Sequence, residues 1–232
     1  MLFGFFYGDW TLILLIAAMI FAFVAQYKVK STFDKYNRIN NQSGLSGAEA
    51  ARKILDSNGL YHVRVEFVRG KLTDHFDPRS NVIRLSDAVY GVSSAAAIGV
   101  AAHEAGHAVQ YAVKYAPMKW RAAIIPITNI GSNLAMPLVL LGILFSFPTL
   151  AYVGVAAFGL STLFQLITLP VEFNASSRAM DALKSSGRLS SNEISASGKV
   201  LRAAALTYVA ALAVSLANLL RLISLVNRSK RR

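Results

Sequence analysis

Apolar residues follow one another without a break over residues 12–25, and the run reaches back through Phe3, Phe5 and Phe6 with only Asp9 as a charge near its start. Two further apolar stretches, 124–145 and 149–169, are separated only by Ser146, Phe147 and Pro148. Each is about 20 residues, enough for a helix to cross roughly 30 Å of hydrocarbon. A fourth stretch, 201–226, has Arg202 and Arg221 shortening its uncharged centre. The pattern predicts an N-terminal anchor, a helical hairpin that leaves and returns to one side, and a C-terminal span. A secretory leader would carry basic residues before its apolar run and a small-residue cleavage site after it. Neither is clear here, so the anchor is read as uncleaved.

Residues 28–121 have a different texture, with most of the charges and turn residues. Ala48, Ala51, Ile54 and Leu55 recur at helical spacing, which predicts an amphipathic helix over 47–60 that Asn58 and Gly59 would end. Over 63–68, Val63, Val65 and Phe67 alternate with Arg64, Glu66 and Val68, as in a half-buried strand. Gly70 and Lys71 read as a turn, 74–78 as a loop and 82–85 as a second short strand. Ser93 or Ser94 can cap a helix that starts at Ala95, Ala96 and Ala97 and runs to about Tyr115, with Pro117 beyond its end. The expected architecture is a mainly α membrane protein with about four transmembrane helices and a small α+β, zincin-like region. By segment, the division is an anchor over 1–27, the α+β region over 28–121 and the hairpin over 122–170. A further helix with a Ser-rich linker (185–197) follows over 171–200, then the last span and a basic tail over 201–232.

Composition agrees with a membrane protein. The chain of 232 residues is 54% hydrophobic, with a mean hydropathy of +0.44, too apolar to cover a soluble domain with polar groups. It has no cysteine, which excludes disulfides and any thiolate metal site, so a metal would have to use His, Asp or Glu. The net charge of +12 raises nucleic acid as a partner. However, Lys28, Lys30, Lys35 and Arg38 follow one apolar run, and Arg228, Lys230, Arg231 and Arg232 follow another, the usual place for basic residues that flank spans. No nucleic-acid partner is expected; the lipid bilayer is. Trp10, Tyr27 and Trp120 fit an interfacial aromatic belt.

The chemistry lies in His103-Glu104-Ala105-Gly106-His107, an HExxH sequence on a helix predicted independently of it. Residues four apart on an α-helix are offset by only about 40° around the axis. Both imidazoles therefore leave one face and can grip one Zn²⁺, with Glu104 placed to act on a zinc-activated water as general base. The competing reading is a structural histidine pair on a packed helix. Small neighbours (Ala102, Ala105, Gly106, Ala108) leave room beside the motif. Gly106 costs about 1 kcal/mol relative to Ala in a helix interior, which a close contact there would explain.

A catalytic zinc takes three protein ligands, and position 113 is Val113 rather than the third histidine of an extended motif. Among the five glutamates, Glu172 follows Pro170, taken as a first-turn proline, where the hairpin returns to its starting side. That topology allows Glu172 to meet the two histidines. An interfacial carboxylate paired with Arg178 is the other reading.

The run from His103 to Gln110, together with Pro170-Val171-Glu172-Phe173-Asn174-Ala175-Ser176, resembles the YugP-like family of bacterial membrane zinc metallopeptidases. The segments 46–51, 72–78 and 84–86 are similar to the same family, and the resemblance covers the chain from about Asn37 onward. It implies a gluzincin-type site with His103 and His107 as zinc ligands, Glu104 as catalytic base and Glu172 as third ligand. A more distant likeness is to the HtpX and CAAX-processing membrane proteases. Their ligand Glu is followed four residues later by an Asp, where this chain has Ser176.

Asn174, Ser176 and Asp181 are candidates to orient a ligand histidine. Asp74 and His75 are candidates near the cleft, though Asp74 and Asp77 also suit a turn. Arg178 could orient a substrate or stabilise developing charge. The resemblance implies a bacterial cytoplasmic membrane; the basic residues beside the spans favour an active site facing the cytoplasm, while the basic tail 228–232 argues the other way. The expected function is a zinc-dependent endopeptidase acting on peptides or membrane proteins. The alternatives are an inactive membrane scaffold or adaptor that retains a metal site, or a metal transporter, which the nearly charge-free spans disfavour.

Overall fold

A computed structural model of the chain describes residues 9–229. Phe3, Phe5 and Phe6 of the first apolar run, and Lys230, Arg231 and Arg232 of the basic tail, lie outside the described residues. The order of elements is α1 (Trp10–Asn37), α2 (Gly47–Ser57), β1 (Arg64–Phe67), β2 (His75–Asp77), β3 (Val82–Leu85), α3 (Ala95–Ala112), α4 (Ala116–Leu144), α5 (Pro148–Ser185) and α6 (Ser191–Ser229). The protein is mainly α. Four helices, α1, α4, α5 and α6, are long and apolar enough to cross a membrane. The chain divides into two compact units, and each of these four helices contributes residues to both.

One unit comprises Gln26–Met118 and Pro170–Leu206. Its helices begin where serines satisfy free backbone donors. Ser46 and Glu49 form a reciprocal capping box at the start of α2, and Ser94 Oγ accepts from Ala97 N at 3.0 Å at the start of α3. The sheet has the order β1-β3-β2. β1 runs parallel to β3 with Val65 opposite Ile83, and β2 runs antiparallel to β3 with Phe76 opposite the same Ile83. Ile83, Leu85, Leu55 and Ile98 are fully buried in the resulting core. The face of α3 in that core is built of alanines (Ala97, Ala101, Ala105 and Ala108 among them), whose short side chains allow close helix packing.

Four local expectations are corrected here. The segment 74–78 is not wholly loop: His75–Asp77 forms the edge strand β2, because a three-residue strand needs only β3 beside it. Pro170 does not open a helix but lies inside α5. Its missing N–H costs one intrahelical bond, a loss that long apolar helices tolerate. The Ser-rich linker is shorter than its composition implies, because α6 already begins at Ser191. There Glu193 accepts from Ser190 N and Ser190 Oγ, both at 2.7 Å, and from Gln42 N at 2.6 Å. The β1 alternation is also imperfect, since Phe67 is 49% exposed.

The other unit comprises Met1–Ala25, Lys119–Leu169 and Thr207–Arg232. Its helices approach closely over small residues, as membrane helices do. A Cβ on Gly154 would sit 2.7 Å from the Ala135 carbonyl oxygen, and one on Gly142 would sit 2.4 Å from Ala151 N. Thr162 and Ser215 hydrogen-bond at 2.8 Å, and Tyr152 donates to Asn227 Oδ1 at 2.6 Å. Asp9, the one charge near the start of the first apolar run, accepts from the backbone and hydroxyl of Thr11 and pairs with Arg228 at 3.8 Å. Large apolar side chains such as Ile13, Phe23 and Leu144 stand exposed, the surface a lipid bilayer covers.

Candidate metal centre

Helix α3 carries His103, Glu104 and His107, and α5 carries Glu172, Asn174, Ser176 and Arg178. The two helices touch backbone to backbone at Gly106, where a Cβ would lie 2.6 Å from the Ala175 carbonyl oxygen. Only glycine permits this approach, and it puts the His103–His107 face within reach of Glu172.

The two imidazoles stand edge to face, 4.7 Å between centroids. Both present Nε2 to a single carboxylate oxygen of Glu172, at 3.2 Å from His103 and 3.5 Å from His107. The three donor atoms lie within 4.8 Å of one another, and the group could hold a metal ion. The donor set fits zinc. Bonds of about 2.0–2.1 Å at tetrahedral angles put neighbouring ligand atoms about 3.3 Å apart, and the two distances to Glu172 fall close to that value. Arg178 does not take up Glu172. It donates from Nε to Asn174 Oδ1 at 2.8 Å.

Each imidazole has a partner on its other nitrogen. Ser176 Oγ is 3.2 Å from His103 Nδ1. Gln110 Oε1 is 3.0 Å from His107 Nδ1, and Gln110 Nε2 donates to the Val171 carbonyl at 2.8 Å and to Asn174 Oδ1 at 2.9 Å. Gln110 is fully buried, and the sequence alone assigns it no role. Its position three residues after His107 on the same helix was the available indication, because side chains so spaced meet.

The electrostatics favour a cation. Burial works against a charge on the His107 ring, but the hydrogen bond with Glu172 and the carboxylates of Glu104 and Glu172 outweigh it, and its pKa is raised. The negative field that draws a proton there draws a divalent ion by the same attraction. Glu104 is buried, and among the described residues it makes no hydrogen bond or ion pair, so its carboxylate is uncommitted.

The structure does not bring Asp74 or His75 to this cluster. Asp74 accepts from Ser86 N at 2.7 Å and Ser86 Oγ at 2.9 Å, pinning the approach to β2 against the end of β3. His75 Nδ1 lies 2.8 Å from the Thr73 carbonyl on an exposed edge. Asp181 lines a cleft of about 680 Å³ with Lys53, Arg178 and Arg188. That cleft lies beside the site rather than on it. Its wall includes Gly106 and Arg178 but none of His103, His107 and Glu172.

Comparison with known proteins points to zinc chemistry as well. Residues 11–227 match the model of a family described as "Putative neutral zinc metallopeptidase". The chain is 52% identical over 210 residues to the "Putative membrane protease YugP" of Bacillus subtilis (strain 168), covering 90% of this chain and 93% of that one. No solved structure matches the chain. The family match takes in the HExxH helix, Glu172 and all four candidate spans, and the chain belongs to this zinc metallopeptidase family.

Proposed function

We propose that this integral membrane protein is a zinc-dependent endopeptidase of the gluzincin type, hydrolysing bonds in peptides or membrane-protein segments. The observation that carries the reading is the convergence of two imidazole Nε2 atoms on one Glu172 oxygen at 3.2 and 3.5 Å, with the uncommitted carboxylate of Glu104 on the same helix as the imidazoles. His103, His107 and Glu172 would hold the ion. Zinc, when bound, lowers the pKa of a water and polarises a carbonyl as a Lewis acid. Glu104 takes the proton from the attacking water on a carboxylate oxygen and delivers it to the leaving amine nitrogen. Ser176 and Gln110 hold the two rings. The setting we propose is a bacterial cytoplasmic membrane with the HExxH segment on its cytoplasmic side, a reading supported by Lys28, Lys30, Lys35, Lys114, Lys119 and Arg121 beside the spans.

The test is Glu104→Gln. Peptidase activity should fall by about 10²–10⁴-fold, the usual contribution of a general base, while bound zinc is unchanged. Activity equal to wild type would contradict the assigned role. Zinc binding without peptidase activity in the wild-type protein would favour a scaffold that keeps the metal.

A further inference from the structure

The two histidines are held in chemically different ways. A serine hydroxyl can donate or accept, so Ser176 leaves either nitrogen of His103 free to carry the proton. The chain behind His107 has a fixed sense. Arg178 Nε–H can only donate, so the atom of Asn174 that faces it at 2.8 Å is the carbonyl oxygen. That oxygen also faces the Gln110 amide at 2.9 Å, which must therefore present N–H. The Val171 backbone carbonyl, 2.8 Å from the same nitrogen, makes the same demand independently. With its NH₂ group committed to two acceptors, Gln110 can show His107 only its oxygen, at 3.0 Å from Nδ1.

We infer that Gln110, held by the Val171 carbonyl and by Asn174 and Arg178, is a positioning residue that fixes the tautomer of His107 with the proton on Nδ1. The inference rests on the reading of this cluster as a metal centre. It also explains how the chain would favour an ion there. With Nδ1 protonated, the lone pair of a neutral His107 sits on Nε2, aimed at a carboxylate oxygen 3.5 Å away. Two electron-rich atoms so placed repel unless a cation lies between them. In the neutral ring the relay closes the escape in which the proton moves to Nε2 and faces Glu172; the gap is then filled by a metal ion or, in the metal-free protein, by a second proton. It sets this preference without touching the ion, from a side chain that is itself fully buried.

The experiment uses the full chain in detergent with ¹⁵N-labelled histidine. It reads the proton position on His107 by ¹⁵N–¹H correlation, in the zinc-loaded protein and in metal-free protein at a pH where the ring is neutral. Zinc affinity is read by chelator competition. Wild type should show the proton on Nδ1 in both states. Gln110→Leu, close to isosteric in a buried site, should populate both tautomers when metal-free and weaken zinc by about 10–100-fold, as loss of such outer partners does. Asn174→Asp keeps an acceptor between Gln110 and Arg178 and should hold the wild-type tautomer and affinity. Asn174→Leu, at a half-buried position that folding tolerates more readily, should lose part of both. A wild-type proton on Nε2, or an unchanged tautomer in Gln110→Leu, overturns the inference. If wild type takes up no zinc, the metal-centre reading fails, and the metal-free spectrum alone upholds or overturns the tautomer.

Discussion

Ser176 Oγ lies 3.2 Å from Nδ1 of His103, while Glu172, one helical turn earlier on α5, lies 3.2 Å from Nε2 of the same ring. Two side chains four residues apart thus bracket one imidazole from both nitrogens. In the more distant protease likeness this fourth position after the ligand Glu belongs to an aspartate. Here a neutral hydroxyl takes the place, within hydrogen-bond reach of the ring and without adding a charge.

The closeness of α3 to α5 is the first property open to test. Gly106→Ala would push a Cβ to within 2.6 Å of the Ala175 carbonyl oxygen, and overpacking of this kind costs about 1–3 kcal/mol. The variant should melt several degrees below wild type and bind zinc more weakly. Gly159→Ala on α5 is the control, since nothing lies within 4 Å of its would-be Cβ. It should match or exceed wild-type stability. Equal melting of the two variants would contradict the close approach.

A pH dependence is expected at the β2–β3 turn. The Ser80 hydroxyl and the Arg79 backbone N–H, with Arg84 beside them, hold the Asp77 carboxyl down at about 2. The folded value lies below the unfolded one of about 3.9, so the stabilisation is complete above pH 4. It is lost as pH falls from about 4 toward 2. Asp77→Asn should therefore melt below wild type at pH 6, with the gap narrowing under pH 4. A gap that stays constant across this range would contradict the assignment.

Topology can be read cleanly because the chain has no cysteine. A single cysteine at Asn58, the C-cap of α2, should react with a membrane-impermeant maleimide only after cells are opened. One at Phe145, exposed just after α4, should react in intact cells. The reverse pattern would invert the proposed orientation.

What the sequence made legible followed from periodicity and chemistry that act over short distances. The spacing of His103 and His107 is set by one helical turn, the spans by runs of apolar residues, and the starts of α2 and α3 by Ser46 and Ser94. Glu172 could be reached because the hairpin between the motifs restricts where the chain returns. What stayed hidden depends on contacts between distant segments. Nothing local in 74–78 encodes a strand, because β2 exists only by pairing with β3. Pro170 looks like a helix start in isolation, but α5 continues through it. Gln110 reads as an ordinary helical glutamine until α5 brings the Val171 carbonyl and Asn174 against it.

The central claim is a three-donor zinc site built by His103, His107 and Glu172. Elemental analysis of the detergent-purified protein, on wild type and on Glu172→Ala, tests it most directly. The account predicts about one zinc per chain in wild type, the stoichiometry of a single catalytic site, and a clear loss in the variant. No zinc in wild type after zinc-replete purification, or undiminished zinc in Glu172→Ala, would contradict it.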